Sequence, residues 1–457
     1  MTSELPKISV AETLAEKIVA LKPGSLPAPT ARKCADLLID VVGLCVTARN
    51  EDYVASALAG WDDDGPCTTI GHARRLSATG AAFVNGTAAH GEDFDDTFEG
   101  GPVHAGAVVV PAVLAACERH NPDGRLALIG IAVGCEVLCR LSLVVPKAVH
   151  KAGFHPTAVF GAMGAAAGVG VALGLNAKQI VDALGIAGSM AGGIIEYLAE
   201  GAWTKRLHAG WAAQSGIRAA LLARNGFVGP RTVFEGVHGL FHGFAHTTKG
   251  DYDALIGDFG SRWVTDTLAF KPYPCGTMAQ PYIDCARRLA ARGVKPEDVT
   301  ELVCEVAEGT VHRLWEPLAD KQKPRNGYAA KFAVPYLLAT GFVHGGVGLG
   351  AFTQNAILDA RVLALAAKVK FVIDPDNPYP NNYTGHIRAT LKDGSVIEER
   401  QPYLRGGAQE PLTRQDVTDK FALNAQHGGW SKTQSDVALK LMAGLYAGKI
   451  DLSALQS

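Results

Sequence analysis

The chain is poor in charge. Asp, Glu, Lys and Arg make up 19% of its 457 residues, against about 25% in an ordinary globular protein. The 43 basic and 45 acidic residues nearly cancel, leaving a formal net charge of -2. No field of one sign draws the chain to nucleic acid or to an anionic membrane, so neither is expected as a partner. The nine cysteines are odd in number and contain no CxxC pair. That excludes a disulfide framework and a zinc ribbon, and it fits a reducing, cytoplasmic setting. The start, MTSELPKISVAETLAEK, lacks the pattern of a signal peptide. Walker A, HExxH and GxSxG motifs are missing. The stretch "GAMGAAAG" at 161–168 is no dinucleotide fingerprint, because no strand precedes it.

Glycine, by contrast, is abundant: 52 of 457 residues, above the usual level of about 7%. The glycines sit inside apolar segments, which points to close helix packing. The longest apolar run, 158–175, is long enough to raise the question of a membrane span. It is mostly Gly and Ala, lacks an aromatic belt and follows His-Pro, so a buried core helix is expected. At 457 residues, two or three domains are expected.

Hydrophobic spacing predicts helices over 10–20, 31–46, a stretch from 77 to 89, 106–117, 126–141, 177–190 and 204–225. Ser9 with Glu12 and Asn176 with Gln179 read as capping boxes, Thr204 as a cap, and Gly226 as a terminating glycine. Beyond about residue 265 the pattern changes. Strands are predicted at 302–306, 369–373, 386–391 and 395–399, the last two joined through Asp393-Gly394. The proline-rich stretch 374–383 reads as a loop. Helices are predicted at 279–292, 332–339 and 431–446. The expected fold is therefore mainly α, with a large helical domain over 1–266. A smaller α+β domain covers 267–405, and a C-terminal segment, 406–457, returns to the helical domain.

Four polar stretches interrupt the apolar background. The first, "HGEDFDDT" at 90–97 followed by His104, packs Glu92, Asp93, Asp95 and Asp96 together. Three readings stand: a solvated helix end, a divalent-metal site on His90, Asp93 and Asp96, or an acid that orients His104 for proton transfer. The second is "AGFHPT" at 152–157, where His155 stands at a helix start, an anion-binding corner. The third is "GAWTKRLHAG" at 201–210. Lys205 and His208 share a helix face there, and a lysine near a helix start calls for a negative partner. The fourth is "FKPYPCGTMAQPYID" at 270–284, a rigid turn presenting Lys271. Tyr336 offers a phenolic donor, although an aromatic in a helix is more often a core side chain. Lysines and histidines without a nucleotide or metal motif suit a small polyanion and a proton transfer beside its carboxylates.

Taken together, "AAFVNGTAAHGEDFDDT", "HAGAVVVPAVLA", "GFHPTAVFGAMGAAA", "TKRLHAGWAAQSGIRAALLARNGFVGP" and "FKPYPCGTMAQPYID" resemble the MmgE/PrpD family. That family includes 2-methylcitrate dehydratase, cis-aconitate decarboxylase and iminodisuccinate epimerase. The resemblance implies a helical domain and an α+β lid with the site between them, a homodimer, and no organic cofactor or metal. It implies site roles for Asp93, Thr97, His104, His155, Lys205, Lys271 and Tyr336, with His208 and Gln280 beside the substrate. His104 would move the proton and Lys205, Lys271 and His155 would hold carboxylates, or Lys271 would itself be the base. The implied reaction is dehydration of a small di- or tricarboxylic acid such as 2-methylcitrate. Epimerisation or decarboxylation of an iminodisuccinate- or cis-aconitate-like acid, or carboxylate binding without catalysis, are the alternatives. Two departures bear on the choice. Gln280 stands where many members have a histidine, and Gly276, where many have a cysteine, is expected to leave space near Lys271.

Overall fold

The computed structural model describes residues 7–101 and 103–456. It forms two compact units. The first runs to Leu268 and resumes at Thr413, and the second is Ala269–Leu412.

The first unit is a large helical assembly with one short hairpin, Asp64–Thr68 with Arg75–Leu76. Its helices begin where local chemistry dictates. Ser9 Oγ accepts from the Glu12 amide at 3.2 Å while Glu12 Oε2 accepts from the Ser9 amide at 2.7 Å, and the helix Val10–Ala20 follows. Asn176 and Gln179 form the same reciprocal cap before Ala177–Met190. Thr204 is not a cap: Trp203 holds that position, without a side-chain bond to the helix Thr204–Arg224. Gly226 closes that helix in the left-handed conformation, at φ 88°.

Glycine decides how closely the helices approach. The apolar run forms the helix Pro156–Ala172, buried along nearly its whole length. It lies against Gly124–Val144 through facing glycines, and a Cβ on Gly168 would come within 2.6 Å of the Gly130 carbonyl oxygen. Gly124–Val144 is itself long and apolar enough to cross a bilayer, yet it is buried inside the unit. It also carries a fully buried ion pair, Arg140 Nε to Glu136 Oε1 at 2.5 Å. A second close contact joins Ala78–Gly91 to Thr204–Arg224, where a Cβ on Gly86 would lie 2.8 Å from Gly210 Cα. These two helices carry His90, Lys205 and His208.

The polar helix Arg414–His427 has little apolar periodicity and was not predicted from the sequence. It packs on Ala28–Ala48, with Phe421 lying over Gly43.

The second unit contains a four-stranded sheet in the order Val369–Ile373, Val299–Val306, Gly385–Leu391, Val396–Gln401. The first pair is parallel, with Leu302 opposite Val369, and the other pairs are antiparallel. The last two strands meet in a three-residue loop closed by the Leu391 amide on the Ser395 carbonyl, with Gly394 left-handed. The helix Gln280–Ala291 covers one face of the sheet. The unit's core gathers Trp315, Tyr282, Leu302, Ile387 and Tyr336. Its chain end is tied back by Arg405, which donates to Asp284 Oδ1 at 3.0 Å and to the Tyr273 hydroxyl at 3.0 Å.

Candidate active site

Four histidines of the first unit form a continuous row. The ring centroids of His104 and His90 are 5.0 Å apart, those of His90 and His155 5.5 Å, and those of His155 and His208 5.3 Å. Tyr197 closes the row, 5.8 Å from His208. His90 ends the helix Ala78–Gly91, His155 immediately precedes Pro156–Ala172, and His208 lies on Thr204–Arg224. The row is therefore assembled by three helix termini or faces brought together by small residues.

The loop after His90 supplies the acids. Asp95 Oδ2 lies 2.7 Å from His90 Nδ1 and 3.6 Å from His104 Nδ1. His104 Nδ1 also lies 2.6 Å from the backbone carbonyl oxygen of Asp96. A carbonyl only accepts, so His104 carries its proton on Nδ1 and exposes Nε2 as the basic nitrogen. The His104 amide is held by Thr157 Oγ1 at 3.3 Å. Asp96 turns its carboxylate to the start of the next helix, accepting from the Ala105 and Gly106 amides at 3.0 and 2.9 Å. Burial, reinforced by the neighbouring Asp95 charge, outweighs those two bonds and pushes Asp96 up to about 7.

Asp93 turns toward the helix Thr204–Arg224. It adopts a left-handed backbone, φ 55°, and forms an ion pair with Lys205. The sequence left open which acid lies beside His104: the carboxylate there is that of Asp95, while Asp93 pairs with Lys205. The metal grouping His90, Asp93 and Asp96 is not assembled. The ligand atoms that converge belong to His90, Asp95 and His104, all within 4.8 Å of one another. Their short contacts are those of hydrogen bonds, with both Nδ1 atoms serving as donors.

Lys205 and His208 share a face, as their spacing requires, and both are buried. The His155 and His208 Nδ1 atoms are 3.1 Å apart, so one ring donates and the other accepts. Burial lowers both, helped by the neighbouring His90 and Lys205 charges. His208 falls to about 4 and His155 well below its usual value, so this pair is neutral near pH 7. His208 and Tyr197 line a cavity of about 580 Å³ together with Ala158, Gly193, Thr204 and Trp211. Arg206 points away and lies over the Tyr53 ring at 4.3 Å. Thr97 is buried at the end of the acid loop.

In the second unit, Lys271 is buried at the head of its rigid turn. Gln280 braces that turn, its Nε2 donating to the Tyr273 and Cys275 carbonyls at 3.3 and 3.4 Å, while its buried Oε1 meets no donor among the described residues. Gly276 does not leave open space, since a Cβ there would meet the Phe332 ring at 3.2 Å. Tyr336 is a core side chain whose hydroxyl donates to the Ala351 carbonyl at 2.6 Å. All nine cysteines are buried and free. Burial raises the thiols of Cys34, Cys45, Cys135, Cys139 and Cys304, among others, which keeps them from acting as nucleophiles.

Sequence reasoning named His90 and Asp96 only as candidate metal ligands and Asp95 only as one of the acid cluster; it did not anticipate the contact of Asp95 with His90 or that of the Asp96 carbonyl with His104. The only available signal was the density of acids after a helix-ending histidine.

The first unit thus buries a row of imidazoles, orients one of them through a backbone carbonyl and pairs a lysine with an acid. The chain belongs to the MmgE/PrpD family: residues 12–253 match the MmgE/PrpD N-terminal domain and residues 273–442 the MmgE/PrpD C-terminal domain. It is 30% identical to the cis-aconitate decarboxylase of Homo sapiens, covering 91% of this chain and 88% of that protein. It is 26% identical to the cis-aconitate decarboxylase-like protein oryM of Aspergillus oryzae, covering 92% and 91%. The mitochondrial 2-methylcitrate dehydratase of Yarrowia lipolytica is 25% identical over 50% of this chain and 45% of its own length. At family level these matches support dehydratase, decarboxylase or isomerase activity on small di- and tricarboxylic acids.

Proposed function

We propose that the protein is a lyase that moves a proton at a carbon beside a carboxylate of a small di- or tricarboxylic acid. The observation that carries this reading is the hydrogen bond from His104 Nδ1 to the Asp96 carbonyl, which leaves Nε2 basic. Lys205 is the cation for a substrate carboxylate, and the neutral His155–His208 pair offers hydrogen bonds without adding charge.

The leaving group separates the finer readings. In decarboxylation, carbon dioxide departs, the electron pair stays on carbon, and an imidazolium at His104 returns a proton to it. In dehydration, His104 Nε2 removes the carbon-bound proton as hydroxide leaves, and the imidazolium so formed returns that proton to the hydroxide to give water. Similarity over nine-tenths of the chain to proteins named as cis-aconitate decarboxylases favours decarboxylation of a cis-aconitate-like acid. The half-length match to a 2-methylcitrate dehydratase keeps dehydration as the second reading. Proton NMR in heavy water, with 2-methylcitrate, citrate, cis-aconitate and iminodisuccinate, separates them. Loss of carbon dioxide supports the first reading and loss of water the second. Proton exchange or inversion without net loss moves the assignment to an epimerase. A folded protein that neither converts nor exchanges any of these acids would overturn the proton-transfer reading for this substrate class.

A further inference from the structure

Lys420 stands outside the histidine row, yet it grips the loop that carries both site acids. It lies on Arg414–His427, in the segment that rejoins the first unit after Leu412. Its Nζ is 2.7 Å from Asp40 Oδ1 and donates at 2.7 Å to the Phe94 carbonyl. The same ammonium lies 4.0 Å from the centre of the Phe94 ring. An ammonium has three N–H groups, and a carboxylate, a carbonyl and a ring face give it three partners. Lys420 is 7% exposed and Asp40 2%.

Phe94 is the residue between Asp93 and Asp95. The carbonyl that Lys420 holds belongs to the planar peptide leading into Asp95. The ring that it holds belongs to the residue following the left-handed Asp93. One cation therefore acts on both sides of the point where the two acids diverge, Asp93 to Lys205 and Asp95 to His90 and His104. Stability alone does not account for such a pair, because buried ion pairs are often replaced by apolar groups without loss. We propose that Lys420, charge-balanced by Asp40, is a positioning residue: it fixes the acid loop so that Asp93 meets Lys205, Asp95 orients His90 and the Asp96 carbonyl orients His104. The kinetic consequence rests on the proton-transfer reading above, and the structural consequence does not.

The test compares K420M, K420R and the charge-balanced double variant K420M/D40N with the parent. The double variant removes both buried charges, so it is expected to fold better than K420M, which strands the Asp40 carboxylate. In the folded double variant kcat should fall by about tenfold to a hundredfold, with KM changed by less than about threefold, as expected when a reacting group is misplaced. K420R should recover most of the lost kcat. The ring Cε1–H resonances of His90 and His104 should shift in K420M/D40N and return toward the parent in K420R. Parent-like kcat and unshifted resonances in a cooperatively folding double variant would overturn the proposal, as would K420R performing no better than K420M. If the parent converts none of the acids, the lyase reading fails by itself, and the histidine resonances alone decide the role of Lys420.

Discussion

His104 Nδ1–H donates a hydrogen bond to the backbone carbonyl oxygen of Asp96 at 2.6 Å, while the Asp96 carboxylate turns the other way to hold the start of the next helix. One residue thus orients the His104 ring through its backbone and anchors the following helix through its side chain. This division of labour makes several outcomes separable by experiment.

His104→Ala should reduce kcat by roughly 10²- to 10⁴-fold, the range for loss of a general acid–base group. The side chain is partly exposed, so the unfolding transition should stay near that of the parent. Steady-state kinetics and thermal melts check both, and near-normal turnover would remove His104 from the role. His90→Ala should cost less in kcat than His104→Ala.

Lys205→Met should raise KM for multiply charged acids more than for singly charged ones. It also leaves Asp93 buried without its cation, so Lys205→Met with Asp93→Asn is the cleaner comparison. Equal KM increases across substrate charge would argue against a carboxylate grip.

Asp96 gives stability a pH dependence of definite sign. Its folded value is raised to about 7 from 3.8, so between about pH 4 and pH 7 the folded state binds more protons than the unfolded one. Its contribution therefore falls as pH rises through that window. His155 and His208 act in the opposite sense: their folded values are lowered, so stability is lost as pH falls below about 6.5. Asp96→Asn should remove the first slope and leave the second, as read by denaturant melts from pH 4 to pH 8.

Arg140→Met should destabilise the first unit by about 3–5 kcal/mol, because it strands Glu136 in the core. Glu136 also accepts from the Val264 and Thr265 amides at 3.1 and 3.0 Å. The double change to Met at 140 and Gln at 136 should recover part of the loss. A single variant within about 0.5 kcal/mol of the parent would contradict the burial of this pair.

Gln280→Leu removes two donor bonds to the turn after Lys271. The expected cost is about 1–3 kcal/mol for the second unit, measured by chemical denaturation. An unchanged midpoint would mean that the turn is held without Gln280.

Much of the fold was written locally. The capping pairs Ser9–Glu12 and Asn176–Gln179 act over three residues, and the alternation around Asp393-Gly394 requires only a turn. Such signals survive in a single sequence because neighbours along the chain create them. The motif "HGEDFDDT" likewise announced a site rich in acids, and the spacing of Lys205 and His208 placed them on one helix face. What the sequence could not assign was the partner of each acid. Asp93 and Asp95 are two residues apart, and their directions depend on one left-handed φ and on Lys420, more than 300 positions away along the chain. The row of four imidazoles comes from separate segments, and only the close approach of glycine-bearing helices brings the rings within stacking distance. Composition and spacing determined that polar stretches rich in acids, histidines and lysines would interrupt an apolar, helix-forming chain. Tertiary packing decided which carboxylate faces lysine and which faces histidine, because both choices have the same local sequence and differ only in the long-range contacts that burial makes strong.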